Sequence, residues 1–335
     1  MLIHSSDSFI QSNEFAGNVE KGLSEKQKYI SPKFFYDKNG SELFEQICDQ
    51  PEYYLTRTET QILKKSIVQI IDTLGGNGIS IIELGNGNSQ KTRILLAPIL
   101  AMLSNVSYFP IDVSLKMLQK SIKNLSQQYS NLNIFGICSD YVEGLTKINE
   151  FMSSKKRLPY RRLIIFLGSS IGNFHPNEAK DFLCTLSDLM RTSDLMLLGI
   201  DTEKDVDILE RAYNDKNGIT AKFNLNVLSR INRELDADFK LSLFEHKSFY
   251  NVDEHRIEMH LESRVDQTVT IGAIGKKFNF KKGETIHTEN SYKYSRDRLN
   301  SLVKNADLQI TKYFTDPRKQ YMLILLKKVS GTSKS

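Results

Sequence analysis

The sequence predicts an α/β fold, a Rossmann-like parallel sheet with an α+β lobe inserted late in the chain. Three observations carry this. Between residues 79 and 201, short apolar runs alternate with stretches of helical spacing, the pattern of parallel strands joined by crossover helices. A glycine-bearing turn, Gly85-Asn86-Gly87, follows the first run directly. After Asp201 the alternation stops and period-two segments replace it.

The elements follow in order. Leu63, Ile67, Ile70 and Leu74 recur at helical spacing, so a helix is expected over 58–74, stopped by Gly75-Gly76. Ile79–Leu84 is the first strand, and Thr92–Leu103 a helix despite Pro98. Tyr108–Val113 is the second strand, followed by a helix over Ser114–Gln128. Asn133–Ser139 is the third strand and Leu163–Leu167 the fourth, with a helix over Asn177–Met190 before the fifth, Leu195–Ile200. Further on, Phe223–Leu235 reads as a helix, and Arg256–Leu261 with Gln267–Ile271 as parts of an antiparallel meander. Tyr321–Leu326 is a last apolar strand after a turn at Asp316-Pro317. The expected division is a nucleotide-binding domain over 24–201 and 293–330, and a lobe over 202–292 on which residues 1–23 pack.

Composition fits a globular enzyme. The 335 residues are 40% hydrophobic and 25% charged, with a formal net charge of +5. That charge is too small to argue for nucleic acid, and Lys155-Lys156-Arg157 and Arg161-Arg162 read as solvated loop residues. Cys48, Cys138 and Cys184 show no metal-ligand or disulfide spacing, so no structural metal is expected and a reducing cytoplasm fits. No stretch reads as a signal peptide or membrane span.

In a parallel sheet, ligands bind beyond the carboxyl ends of the strands. Gly85, Asp112, Asp140, Gly168 and Asp201 all fall there. Glycines 85 and 87 let backbone approach a nucleotide-like ligand, but a dinucleotide fingerprint would have Gly or Ala where Gln90 stands. That departure points to an adenosyl ligand without a pyrophosphate, S-adenosylmethionine being the best known. Asp112 is either an acceptor for ribose hydroxyls or a helix cap ahead of Ser114. Asp140 is either an acceptor for an adenine amino group, with Tyr141 packed on the ring, or a turn residue beside a surface aromatic. Lys91 is either near the ligand's carboxylate or a solvated first-turn lysine. The loop Gly168-Ser-Ser-Ile-Gly-Asn173 aims polar groups at the same edge. Phe34-Phe35-Tyr36, Phe44, Tyr53 and Tyr54 are either core or the wall of a pocket for an amine becoming a cation.

Together these segments resemble the L-histidine Nα-methyltransferase family of ergothioneine biosynthesis. The carriers are SPKFFYDKNGSELFEQICDQPEYYLTRTETQIL, IIELGNGNSQKTRILL, FPIDVS, LGSSIGNFHPNEAKDFL, LLGIDTEKD, NGITAKFNLNVLSRINRELDADF, FYNVDEHRIEMHL and GETIHTENSYKYS, in order from Ser31 to Leu326. The resemblance implies a class I methyltransferase sheet with an inserted substrate-binding lobe. Its donor is S-adenosylmethionine and its acceptor L-histidine. Three sequential transfers would give Nα,Nα,Nα-trimethylhistidine (hercynine), the first step towards ergothioneine. By the same resemblance Gly85, Lys91, Asp112, Asp140 and Tyr141 contact the donor. Tyr53, Asn173 and Tyr213 hold the amino and carboxylate groups, and Glu289 with Ser291 grips the imidazole. Met259 lines the side-chain pocket, and Phe44 and Tyr36 form the aromatic wall, Tyr36 relaying the amine's proton. A monomer acting on a small molecule, with no nucleic-acid or membrane partner, is expected.

Two departures stand out: the polar Asn86 and Asn88 in the first loop, and a bulky Tyr292 beside the imidazole pair. Three rival readings follow from the residues: methylation of another amine such as tryptophan, an NAD-linked oxidoreductase, and a non-catalytic ligand sensor.

Overall fold

The computed structural model describes residues 2–5, 8–75, 78–87, 89–154 and 161–329. They divide into two compact units: Met1–Ser6, Arg57–Thr202 and Tyr294–Ser335 in the first, Asp7–Thr56 and Glu203–Lys293 in the second.

The first unit is built on a nine-stranded sheet. Its order is Leu2–Ser5, Gly136–Cys138, Asn105–Asp112, Gly78–Leu84, Arg162–Phe166, Leu195–Asp201, Tyr321–Lys328 and Leu308–Thr315, with Asn133–Ile134 also on Asn105–Asp112. The strands up to Leu195–Asp201 are parallel and the last two antiparallel. Helices on a parallel sheet cover both faces, which is why Ile79–Leu84 and Leu163–Phe166 are buried without a break. The order reverses beside Gly78–Leu84, so the loops after it and after Arg162–Phe166 open at the switch point.

Local chemistry explains where the elements start and stop. Ser114 caps the helix Leu115–Gln128 by accepting from the Met117 amide. Glu178 closes a capping box with His175 ahead of Pro176–Leu189. Pro98 sits inside the helix Gln90–Met102, which persists because Leu95, Leu96 and Ile99 are fully buried against the sheet.

Several expectations change. The third strand breaks at Phe135, which stacks on Phe109 with centroids 5.1 Å apart. The helix Tyr141–Ser154 was not foreseen. Arg162 is no solvated loop residue: it is fully buried in the first residue of a strand, paired with Asp194 and bonded to Asn149 and the Leu189 carbonyl. The 155–157 basic run lies outside the described residues.

The second unit gathers its chain from two places. A four-stranded sheet orders Lys28–Tyr29, Thr285–Tyr292, Arg256–Ser263 and Phe244–Asn251. The expected meander is split: Arg256–Ser263 pairs with its neighbours in this sheet, while Gln267–Ile271 forms a separate two-stranded sheet with Lys276–Phe280, with a further bridge from Ile271 to Ala237. The helix Ile219–Leu235 packs on Lys38–Cys48. Asp37 ties them, capping the second helix at Gly40 while accepting from Asn226 and Arg233. Phe35 meets Phe223 at 4.6 Å. Residues 24–56 thus belong with the insertion rather than with the nucleotide domain where the sequence boundary put them, because their apolar faces are complementary to the insertion's long helix.

Among the described residues no helix is long and apolar enough to cross a membrane, and all three cysteines are free.

Candidate active site

In the first unit the loop after Gly78–Leu84 is held open by its backbone. Gly85 has φ of +77°, and a Cβ there would lie 3.1 Å from the Tyr141 hydroxyl. Asp112 accepts from the Gly87 amide at 3.2 Å and from Ser114 N–H at 2.9 Å. Burial pushes its carboxyl up, and the amides of Ser114, Gly87 and Asn86 pull it back. Asp112 therefore braces the loop, and Ser114 does the capping. Asp140 accepts from the amides of Val142 and Glu143, opening the helix Tyr141–Ser154. Tyr141 is half-buried rather than a surface aromatic; it packs on Phe166 and Phe182, its hydroxyl near Gly85.

Lys91 and Gly168 meet at Glu59, a residue that no sequence motif singles out. Glu59, fully buried, accepts from Lys91 Nζ at 2.5 Å, the Gly168 amide at 2.8 Å and Tyr321 Oη at 2.7 Å. Lys91 is thus an ion-paired lysine beside the loop, not a freely solvated one. Only the buried position of an acid in an apolar helix face could have signalled Glu59. Ser89 and Ser169 both adopt φ of +58° at the helix starts after these two strands, a conformation non-glycine residues rarely hold and one that clusters at functional sites. Asp201 is structural: it is fully buried, its amide donating to Ser169 Oγ and its carbonyl accepting from Tyr294. Asn173 ends the short 3-10 helix Ser170–Asn173 and is half-buried.

These residues fit an adenosyl ligand. A cradle that a Cβ at Gly85 would fill lies beside a braced carboxylate, and Asn86 Oδ1 is buried without a partner in the loop. Asn86 Nδ2 donates to Ser89 Oγ, so this departure from the expected loop also shapes it.

In the second unit Tyr36, Phe44, Tyr53 and Tyr213 form a chain of ring contacts; Asn173 belongs to the first unit. Tyr36 meets Phe44 edge-on at 5.6 Å, and Phe44 meets Tyr53 at 6.3 Å. Tyr53 meets Tyr213 at 6.2 Å. Phe223, not foreseen, fills the centre at 5.9 Å from both Tyr36 and Phe44. Burial raises the Tyr53 hydroxyl well above its ordinary value, with Tyr213 adding to it. Behind Tyr213, His246 Nδ1 faces Asn224 Nδ2, so Nε2–H donates to the Tyr213 carbonyl at 3.0 Å. Burial holds this histidine below its usual range, which favours that neutral tautomer.

Glu289 and Ser291 alternate onto one face of Thr285–Tyr292, with Met259 the buried cross-strand partner of Glu289. Ser291 Oγ lies 2.7 Å from Tyr213 Oη. Burial raises the Glu289 carboxyl to about 7, against the pull of Lys293. Tyr292 turns to the opposite face, paired with Arg256, whose guanidinium donates to its hydroxyl. Its bulk therefore does not intrude on Glu289 and Ser291.

That opposite face carries Glu258, His260 and His287, whose ligating atoms lie within 4.8 Å of one another. A bulge at Met259/His260 puts His287 on this side, and Thr288 Oγ1 bonds the Met259 carbonyl there. The two imidazoles stack at 4.6 Å and 11°, so their in-plane lone pairs run side by side and do not converge on an ion. Arg256, Asn251 and His260 already engage Glu258. The trio is a hydrogen-bonded stack.

Residues 15–328 match the model of the histidine-specific, S-adenosylmethionine-dependent methyltransferase family. The histidine N-alpha-methyltransferase of Mycolicibacterium smegmatis is 41% identical over 308 residues, 92% of this chain and 93% of that protein. Ergothioneine biosynthesis protein 1 of Schizosaccharomyces pombe is 28% identical over 93% of this chain and 40% of its own length. The 4-dimethylallyltryptophan N-methyltransferase easF of Claviceps purpurea is 27% identical over 86% of this chain and 87% of its own. Since the family match runs through both units, this chain belongs to the histidine-specific, S-adenosylmethionine-dependent methyltransferases.

Proposed function

We propose that the protein transfers methyl groups from S-adenosylmethionine to the α-amino nitrogen of L-histidine, in three rounds giving hercynine, the first step towards ergothioneine. The observation that carries the acceptor is the row of Glu289 and Ser291, the latter joined to Tyr213, beside an aromatic cluster. A carboxylate and a hydroxyl match the two nitrogens of an imidazole, whereas an indole offers one donor only.

The sulfonium donor supplies an already activated methyl. The chain's own part is alignment. Gly85, Asp112, Asp140, Tyr141 and Gly168 hold the donor, with Lys91 fixed by Glu59. Tyr53, Asn173 and Tyr213 hold the amino and carboxylate groups of histidine, and Met259 packs on its side chain. Tyr36 orients the amine's lone pair and passes its proton on. The faces of Tyr36 and Phe44, backed by Phe223, suit the growing cation. The enzyme acts as a cytoplasmic monomer without nucleic-acid or membrane partners, and its free cysteines fit a reducing compartment.

Mass spectrometry of products from the purified protein, the donor and a mixture of the twenty amino acids tests this. Histidine gaining up to three methyl increments is expected. Methylation of a different amino acid would keep the donor and overturn the acceptor.

A further inference from the structure

Tyr213 joins the two ends of the proposed acceptor site. Its ring meets Tyr53, and its hydroxyl lies 2.7 Å from Ser291 Oγ and accepts from Lys293 Nζ at 3.2 Å. Its backbone caps the end of the helix Val206–Ala212, whose seven residues are too few to hold a helix by themselves. The last carbonyls of a helix have no partner within it and are satisfied from outside. The Tyr213 carbonyl meets His246 Nε2, from the strand Phe244–Asn251, at 3.0 Å. A second tie runs from the same strand to the same helix, the Tyr250 amide donating to Glu210 Oε1 at 3.0 Å.

The roles in this contact follow from atoms whose chemistry is fixed. Asn224, fully buried on the helix Ile219–Leu235, sets one end of its amide 3.0 Å from the His260 carbonyl and 2.9 Å from His246 Nδ1. A backbone carbonyl only accepts, so that end is the NH2 group. Its second hydrogen then meets Nδ1, which must accept. The ring proton is left on Nε2, where it is donated to the Tyr213 carbonyl. The series His260 carbonyl, Asn224, His246, Tyr213 carbonyl has obligate acceptors at both ends and one self-consistent arrangement between them.

We propose that His246, oriented by Asn224, is a positioning residue for the acceptor: its Nε2–H fixes the Tyr213 backbone, and through it the ring and hydroxyl assigned to histidine binding. No chemistry is asked of the imidazole itself. The donor-binding loops belong to the other unit and do not depend on this contact. The proposal rests on histidine being the acceptor.

The test is histidine binding by calorimetry, in the presence of S-adenosylhomocysteine, for wild type, His246→Gln and His246→Leu, with melting temperature reporting folding. A glutamine amide supplies an N–H where Nε2–H stood, and leucine fills the space without a donor. His246→Leu should lose about five- to tenfold in histidine affinity, the worth of one hydrogen bond, and His246→Gln should stay within about twofold of wild type. Donor-product affinity should be the same in all three. In turnover, the KM for histidine should rise in His246→Leu while kcat stays near wild type. Equal losses in both variants, no loss in either, or a parallel fall in donor-product affinity would overturn the role of His246. Wild type that binds no histidine would instead overturn the acceptor itself. If His246→Leu does not fold, His246→Phe, a flat ring without the donor, takes its place. Nitrogen NMR of the labelled wild-type imidazole should find the proton on Nε2, and a proton on Nδ1 alone would overturn the proposal.

Discussion

At the scale of single residues, two carboxylates do opposite work. Glu289 is half-buried and raised to about 7, and its carboxylate can accept from a ligand. Glu59 is spent on three internal donors. Glu289→Ala should weaken histidine binding by roughly 10- to 100-fold, the worth of a hydrogen bond to a charged group, with donor affinity unchanged in calorimetry. Unaltered histidine affinity would remove Glu289 from the site. Glu59→Ala strands Lys91 and the Gly168 amide together. It should lower stability by about 2 kcal/mol, less than a fully buried pair because Lys91 is partly solvated, and should weaken donor binding in parallel. Urea unfolding with and without S-adenosylhomocysteine measures both. Glu289 was singled out by the family resemblance. Glu59 was not, because its three partners are separated from it by 32, 109 and 262 positions.

At the scale of elements, the strand Thr285–Tyr292 presents different chemistry on its two faces. One carries Glu289 and Ser291, the other Tyr292 and, through a bulge, His287. The sequence left the side that Tyr292 faces open, and the bulge was not readable, since it depends on register with Arg256–Ser263. Burial and the neighbouring His260 hold His287 down at about 4, against the pull of Glu258. A histidine depressed in the folded state stabilises fully above its unfolded value, near 6.5. That contribution is lost as pH falls from there towards 4, because the unfolded chain takes the proton first. The loss should be about 3 kcal/mol across the window. His287→Phe keeps a ring against His260 and should flatten the decline in urea midpoint between pH 7 and pH 4.5, leaving the smaller slope due to His246. An equally steep decline would show that His287 is not the titrating group.

At the scale of the whole molecule, one chain builds two units, and the second needs both the N-terminal segment and the insertion. Tyr36, Phe44 and Tyr53 come from the first of these, Tyr213, Phe223, Glu289 and Ser291 from the second. A fragment starting at Arg57 keeps the long segments that make the donor-binding sheet. It should bind S-adenosylhomocysteine within about tenfold of the intact protein, while histidine binding falls below detection in calorimetry. Retained histidine binding would show that the aromatic wall is dispensable.

The sequence by itself determined the parallel sheet, because buried strands are continuous apolar runs and their loops need glycine where backbone turns left-handed. It also singled out Glu289 and Ser291, through the family resemblance that Thr288-Glu289-Asn290-Ser291 helps to carry. Only the tertiary structure decided which distant groups meet: Glu59 with Lys91, Phe223 with Tyr36, Lys293 with Tyr213, and residues 24–56 with the insertion. Those contacts depend on complementary surfaces brought together by folding, and neither residue spacing nor composition encodes which surfaces will meet.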